Sequence, residues 1–208
     1  MGTGRLERQA PLAGVLFAVL FVVGFLSSGD TPDSTATGEE VVKHYDDVGM
    51  VLLGALTLLL GAVLIVFFAG ALRRQLAVTG AEWLASVVLG GGVIFAAGLG
   101  VFASSQFALV EAADANQPAV AQALNVIDNN NFGTAIIGLT IVLLATAWHV
   151  LTTRSLPGWL GWVSLVLGIL ALAGPLGFVA FLLFPFWVLA VSITLLRRGD
   201  PPAATAMA

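Results

Sequence analysis

Apolar runs separated by short polar breaks set the pattern of this chain. Six of them, at residues 11–28, 48–72, 83–110, 132–153, 158–173 and 177–196, are free or nearly free of charge. An α-helix rises about 1.5 Å per residue and a bilayer's hydrocarbon core is about 30 Å thick, so about 20 residues make one crossing. The pattern predicts an all-α, polytopic integral membrane protein: a single domain over residues 1–208, built as a bundle of six transmembrane helices. The fifth run is short, which places the turn that follows it below the membrane surface.

The breaks carry their own signals. Residues 29–47 are rich in acids, and Thr37 stands three residues before Glu40, the spacing of a capping box. A helix is therefore expected to start near Thr37 and to continue into the second span, which closes at Arg73-Arg74-Gln75. Within the third run, residues 86–106 hold Gly90, Gly91, Gly92, Ala96, Ala97, Gly98 and Gly100 on every side. Small residues let backbones approach closely in lipid, so this span is read as the hub of the bundle. In the loop at 111–131, Pro118 suits a first helical turn, and Val120, Ala123, Leu124 and Ile127 recur at helical spacing. A short amphipathic helix is expected there, lying on the outer surface and stopped by Asn129, Asn130 and Asn131. Between 155 and 196 there is no charge, and Ala173-Gly174-Pro175-Leu176-Gly177 is the turn signal of a tight final hairpin. Residues 199–208 read as a disordered tail.

Charge supplies the orientation. Arg5, Arg8, Arg73, Arg74, Arg154, Arg197 and Arg198 fall on one side of this topology and only Lys43 on the other, while nine of the twelve acids fall with Lys43. By the positive-inside rule both termini are cytoplasmic, and 29–47 and 111–131 are outer loops. Trp83, Trp148, Trp159 and Trp162 gather at the inner interface. Cleavage of the first span as a signal peptide after Gly29 is the rival reading, against which its apolar run is long. Composition agrees with a bilayer as solvent: 59 % hydrophobic and 10 % charged residues, with a mean hydropathy of +1.01. One lysine against seven arginines suits a GC-rich bacterial genome, and hence the cytoplasmic membrane of a bacterium. The absence of cysteine removes disulfide, thiolate and iron–sulfur chemistry.

Four groups of residues are candidates for chemistry. Glu40, His44 and Asp47 share one helical face and form an acceptable zinc or manganese set, with a solvated acidic helix start as the alternative. Ser104, Ser105 and Gln106, with Glu111 beyond them, are the polar cluster in the outer half of a span. They would line an outward-opening cavity or else make ordinary interhelical hydrogen bonds, and Gln106 is the residue most costly to leave unpaired. His149, near the inner face beside Trp148, either hydrogen-bonds a neighbour or a lipid headgroup or serves as a proton relay. Pro185 frees the carbonyl of Phe181 and predicts a kink in the last span, among aromatic residues that favour lipid or an apolar ligand. There is no HExxH, GxSxG or Walker A motif, no acid or base at the centre of a span, no cofactor signature and no basic patch for nucleic acid.

Arg73-Arg74-Gln75 after the second span, and the connection from Arg154 through Ser155, Leu156, Pro157, Gly158, Trp159 and Leu160 to Gly161, lead into a charge-free hairpin. In this pattern the chain resembles small six-helix bacterial membrane proteins grouped as domains of unknown function. The resemblance implies the fold and transfers no catalytic residue. The reading that follows is a non-enzymatic structural, regulatory or assembly component whose partner is the bilayer, together with a second copy or another membrane protein. Binding or transport of an apolar or weakly polar small molecule between spans three and six is the alternative, and a metal-dependent membrane enzyme the third.

Overall fold

The computed structural model describes residues 9–45 and 49–198, and these are helical with turns and loops between the helices. In chain order the helices are α1 (Leu12–Ser28), α2 (Gly38–His44), α3 (Gly49–Ala77), α4 (Glu82–Asp114), α5 (Pro118–Asn130), α6 (Phe132–Thr153), α7 (Gly158–Ala171) and α8 (Leu176–Arg198). Four stretches are long and apolar enough to cross a membrane: α3, α4, the α5–α6 run 118–153, and α8. α1 and α7, at 17 and 14 residues, are apolar but shorter. The tail at 199–208 and Asp47 lie outside the described residues.

The bundle wears its apolar surface outward. Leu56, Leu60, Val63 and Phe67 form an exposed stripe along α3, and Val93 and Val101 on α4 and Val166 and Ile169 on α7 are exposed as well. A water-soluble fold buries such stripes, whereas hydrocarbon tails cover them without cost.

α4 is the axis, with its largest contacts to α6 and α3. Its glycines explain how closely these helices meet. A methyl group on Gly98 would stand 2.5 Å from the Ala135 amide nitrogen of α6, and one on Gly138 would stand 2.2 Å from that of Phe95. At Gly91 the obstacles are Ile141 Cγ2 and the Val142 nitrogen, and at Gly92 the obstacle is the Ala69 methyl group of α3. Between α4 and α6 backbone thus rests on backbone, and any side chain there would wedge the helices apart. Gly90 and Gly100 face open space instead, so the small residues around this helix serve two neighbours rather than every side.

Aromatic rings fill the middle of the bundle. Phe95 of α4 lies 4.8 Å from Phe184 and 6.2 Å from Phe181 of α8, ring centre to ring centre, and Phe17 and Phe21 of α1 complete the cluster. α8 runs as one helix through Pro185, which is buried. Between α7 and α8, Trp187 Nε1 donates to Ser164 Oγ over 2.8 Å, so the indole keeps a partner inside the apolar layer. The final hairpin turns at Gly174, whose φ of +61° is readily adopted only by a residue without a Cβ. At the other end of α7, Arg154 caps α6 in the left-handed region, and Arg198 of α8 donates to the Ser155 carbonyl beside it.

Two expectations change. The capping box between Thr37 and Glu40 forms, but the helix it starts ends at His44 rather than running on into α3. Tyr45 turns inward there, fully buried, to reach α4. The amphipathic helix α5 also forms, with Pro118 in its first turn, yet the face it buries is Ala121, Asn125 and Asp128. Its apolar stripe of Val120, Ala123 and Ile127 points outward, and Leu124 is half-buried.

The glycine contacts make a sharp contrast testable. Gly138→Ala should lower the thermal unfolding midpoint of detergent-solubilised protein, with a loss of about 1–3 kcal/mol expected for overpacking. Gly100→Ala should leave the midpoint unchanged or raise it slightly, since a helical glycine facing open space gains from a methyl group.

Candidate functional site: a buried carboxylate under a polar cap

At one end of the bundle the segments 29–45 and α5 fold over the terminal turns of α4 as a cap. A small core of Val41, Tyr45, Val51, Leu109, Val110, Ala112, Ala113 and Ala121 holds it there. Gly38 permits the contact between α2 and α5, because a methyl group at that position would collide with the Pro118 carbonyl. The polar face of α5 then straps the loop down. Gln122 Nε2 donates to the Ala36 carbonyl at 3.3 Å, Asn125 Nδ2 to that of Asp33 at 2.9 Å, and Asn129 Nδ2 to that of Pro32 at 3.0 Å. An irregular loop cannot satisfy its own carbonyls, so a helix facing it must present donors. That requirement is why α5 turns its amides toward the loop and leaves its apolar side exposed.

Asp128 sits beneath the strap with 1 % of its surface exposed. Ser105 and Gln106 are consecutive on α4 and diverge by about 100° around the helix, yet both reach it, because each meets a different carboxyl oxygen. Gln106 Nε2 donates to Oδ2 at 2.9 Å, and Ser105 Oγ is bonded to Oδ1. Tyr45 Oη donates to Gln106 Oε1 at 3.4 Å, and Asn131 Nδ2 donates to Ser105 Oγ at the same distance. The network therefore joins α2, α4, α5 and the start of α6 through side chains alone.

Burial pushes the Asp128 carboxyl above the ordinary Asp value, and the bonds from Ser105 and Gln106 only partly oppose this. Burial likewise raises the Tyr45 phenol, which stays protonated and able to donate. Exposed Asp33 and Glu40 move the other way. Thr35 donates to Asp33, and Thr37 donates to Glu40 from both its amide and its hydroxyl.

The structure divides the sequence candidates. Ser105 and Gln106 are brought together on Asp128. Ser104 is exposed and bonds back to the Gly100 carbonyl, and Glu111 is exposed too. Phe181 and Pro185 belong to the aromatic middle of the bundle. The Glu40 carboxylate closes the capping box and His44 Nε2 lies 2.8 Å from the Asp30 carbonyl, so each has another partner. Among the described residues no three His, Asp or Glu side chains are grouped to hold a metal ion. His149 is fully buried at the opposite end of α6, with Nε2 2.6 Å from Thr79 Oγ1. A groove of about 630 Å³ lies nearby, lined by Val150, Leu151, Arg154, Gly158 and Trp162. Sequence reasoning overlooked Asp128, Tyr45 and Asn131. The available signal was a second stripe in α5, Ala121, Asn125 and Asp128 at i, i+4 and i+7.

A bundle of apolar helices with its surface made for lipid, capped at one end over a buried carboxylate, defines a multi-pass membrane protein. The chain belongs to the family described as Domain of unknown function (DUF4386), whose profile it matches over residues 12–199. No curated protein and no solved structure matches it.

Gln106→Ala would leave Asp128 Oδ2 and the Tyr45 hydroxyl buried without partners. A loss of about 1–3 kcal/mol is expected, against nearly none for Ser104→Ala, with thermal unfolding in detergent as the measurement. Chelator treatment should leave the unfolding midpoint of the wild-type protein where it was, since Glu40 and His44 already have partners within the chain.

Proposed function

We propose that this is a non-enzymatic component of a bacterial cytoplasmic membrane, structural or regulatory in role, with its cap as the working part. In this reading α1 and α7 cross as well, making six spans with both termini in the cytoplasm, and the cap faces outward. The concentration of arginine at the ends opposite the cap supports that orientation, because it satisfies the positive-inside rule.

The observation that carries the functional reading is where polarity lies. The bundle centre between α4 and α8 is packed with Phe95, Phe181 and Phe184, and none of the spans has an acid or base at its middle. A translocation path for a polar solute needs partners for that solute along the way. The buried carboxylate instead stands at the cap, where it ties extramembrane segments to a span. Such a site suits holding or releasing the cap, and through it a second copy or a partner membrane protein.

Protein reconstituted into liposomes should pass ions and small weakly polar solutes no faster than empty liposomes, for wild type and Gln106→Ala alike. Saturable flux of any solute that disappears in Gln106→Ala would replace this reading with the transport alternative.

A further inference from the structure

We infer that Asp128 is a proton-binding site, and that the cap closes over its neutral, protonated form. The inference rests on the reading of the cap as the working part, and it follows from counting hydrogens.

Ser105 Oγ has one hydrogen and two acceptors in reach, the Phe102 carbonyl at 2.7 Å and Asp128 Oδ1. A carbonyl only accepts. If Asp128 were ionised, its oxygen would only accept as well, and one hydrogen would have to serve both contacts. Asn131 cannot resolve this, because its amide donates to the same Oγ. A proton on Oδ1 gives every contact its own hydrogen in a single direction. Tyr45 donates to Gln106 Oε1, Gln106 Nε2 donates to Asp128 Oδ2, Asp128 Oδ1 donates to Ser105 Oγ, and Ser105 donates to the Phe102 carbonyl. Gln106 leaves no freedom to reverse this order, since its oxygen receives Tyr45 and its nitrogen faces Oδ2.

Among the described residues, the side chains bonded to Asp128 are the neutral Ser105 and Gln106. From α2 the titratable neighbour is Tyr45, a neutral donor. From α4 the neighbours are Ser105 and Gln106, with Glu111 exposed further along. From the loop, Asp33 is occupied by Thr35 and presents only its backbone carbonyl to α5, and the start of α6 supplies Asn131. An ionised carboxylate with 1 % of its surface exposed and no cation bonded to it carries a desolvation cost that a protonated one avoids. When the cap lifts, the O–H bond breaks, the proton passes to water, and the carboxylate is hydrated in the opened site.

The sign follows from linkage. The closed form holds a proton that the open form gives up near the ordinary Asp value of 3.8, so closure is favoured fully below that pH. It weakens as pH rises to the closed-state value, by about tenfold in the opening equilibrium per pH unit, and then levels off.

The test uses full-length protein in lipid nanodiscs. Infrared spectra of wild type should contain a protonated carboxyl stretch that shifts with carbon-13-labelled aspartate, fades as pH is raised, and is missing from Asp128→Asn. Hydrogen exchange, corrected for intrinsic rates, should show residues 29–45 and 118–130 losing protection by up to about tenfold per pH unit across that window. In Asp128→Asn those segments should stay protected at every pH, because the amide donates to Ser105 and accepts from Gln106 as the neutral acid does. Absence of the labelled band from wild type, its persistence in Asp128→Asn, or equal loss of protection in both proteins would overturn the inference. If Asp128→Asn fails to fold, the labelled band in wild type decides alone. None of these readouts depends on solute flux, so they and the liposome result can fail separately.

Discussion

The close approach of α4 to α6 governs this molecule. Gly91, Gly98 and Gly138 bring the two backbones to distances that admit no Cβ, and in lipid such van der Waals contact replaces the hydrophobic effect as the force between helices. With α4 held against α6 on one side and against α3 on another, its far end has a set position. Ser105 and Gln106 ride on that end, so the geometry offered to Asp128 is inherited from glycines in the middle of the bundle.

The cap depends on the same axis but obeys a different solvent rule. Its loop at 29–37 exposes carbonyls that neither hydrocarbon nor a helix of its own can satisfy, and the amides of Gln122, Asn125 and Asn129 meet them. α5 therefore turns its polar face inward. Asp128 lies on that face and is carried under the cap with it, where Ser105 and Gln106 of α4 meet it. Its carboxyl ties α5 to α4, the helix that runs from the aromatic bundle into the small core around Tyr45.

In the role proposed above, this connection serves regulation. Among the described residues, the side chains bonded to Asp128 are Ser105 and Gln106, both neutral hydrogen-bonding groups. The network can change by gaining or losing a proton, and its mechanical consequence falls on the cap, whose outward stripe of Val120, Ala123 and Ile127 is the surface it displays. Phe95, Phe181 and Phe184 fill the middle of the bundle.

Run length and spacing determined much of the architecture. The start of α6 at Phe132, the capping box at Thr37 and Glu40, Pro118 at the head of α5 and the turn at Gly174 are all local, set by helical rise, capping and backbone freedom within a few residues. Gln106 was legible as a polar group that needed a partner, but the partner was not, because Asp128 lies 22 residues away and hydropathy treats it as one more loop acid. Tertiary packing decided which face of α5 goes inward, since the loop carbonyls that demand its amides belong to a distant segment. It also decided that Tyr45 breaks the helix begun at Thr37, that Ser104 points away while its neighbour points in, and that Gly91 and Gly98 meet a backbone where Gly90 and Gly100 meet none. Each of these turns on what stands opposite a residue, and helical periodicity specifies only the side on which it stands.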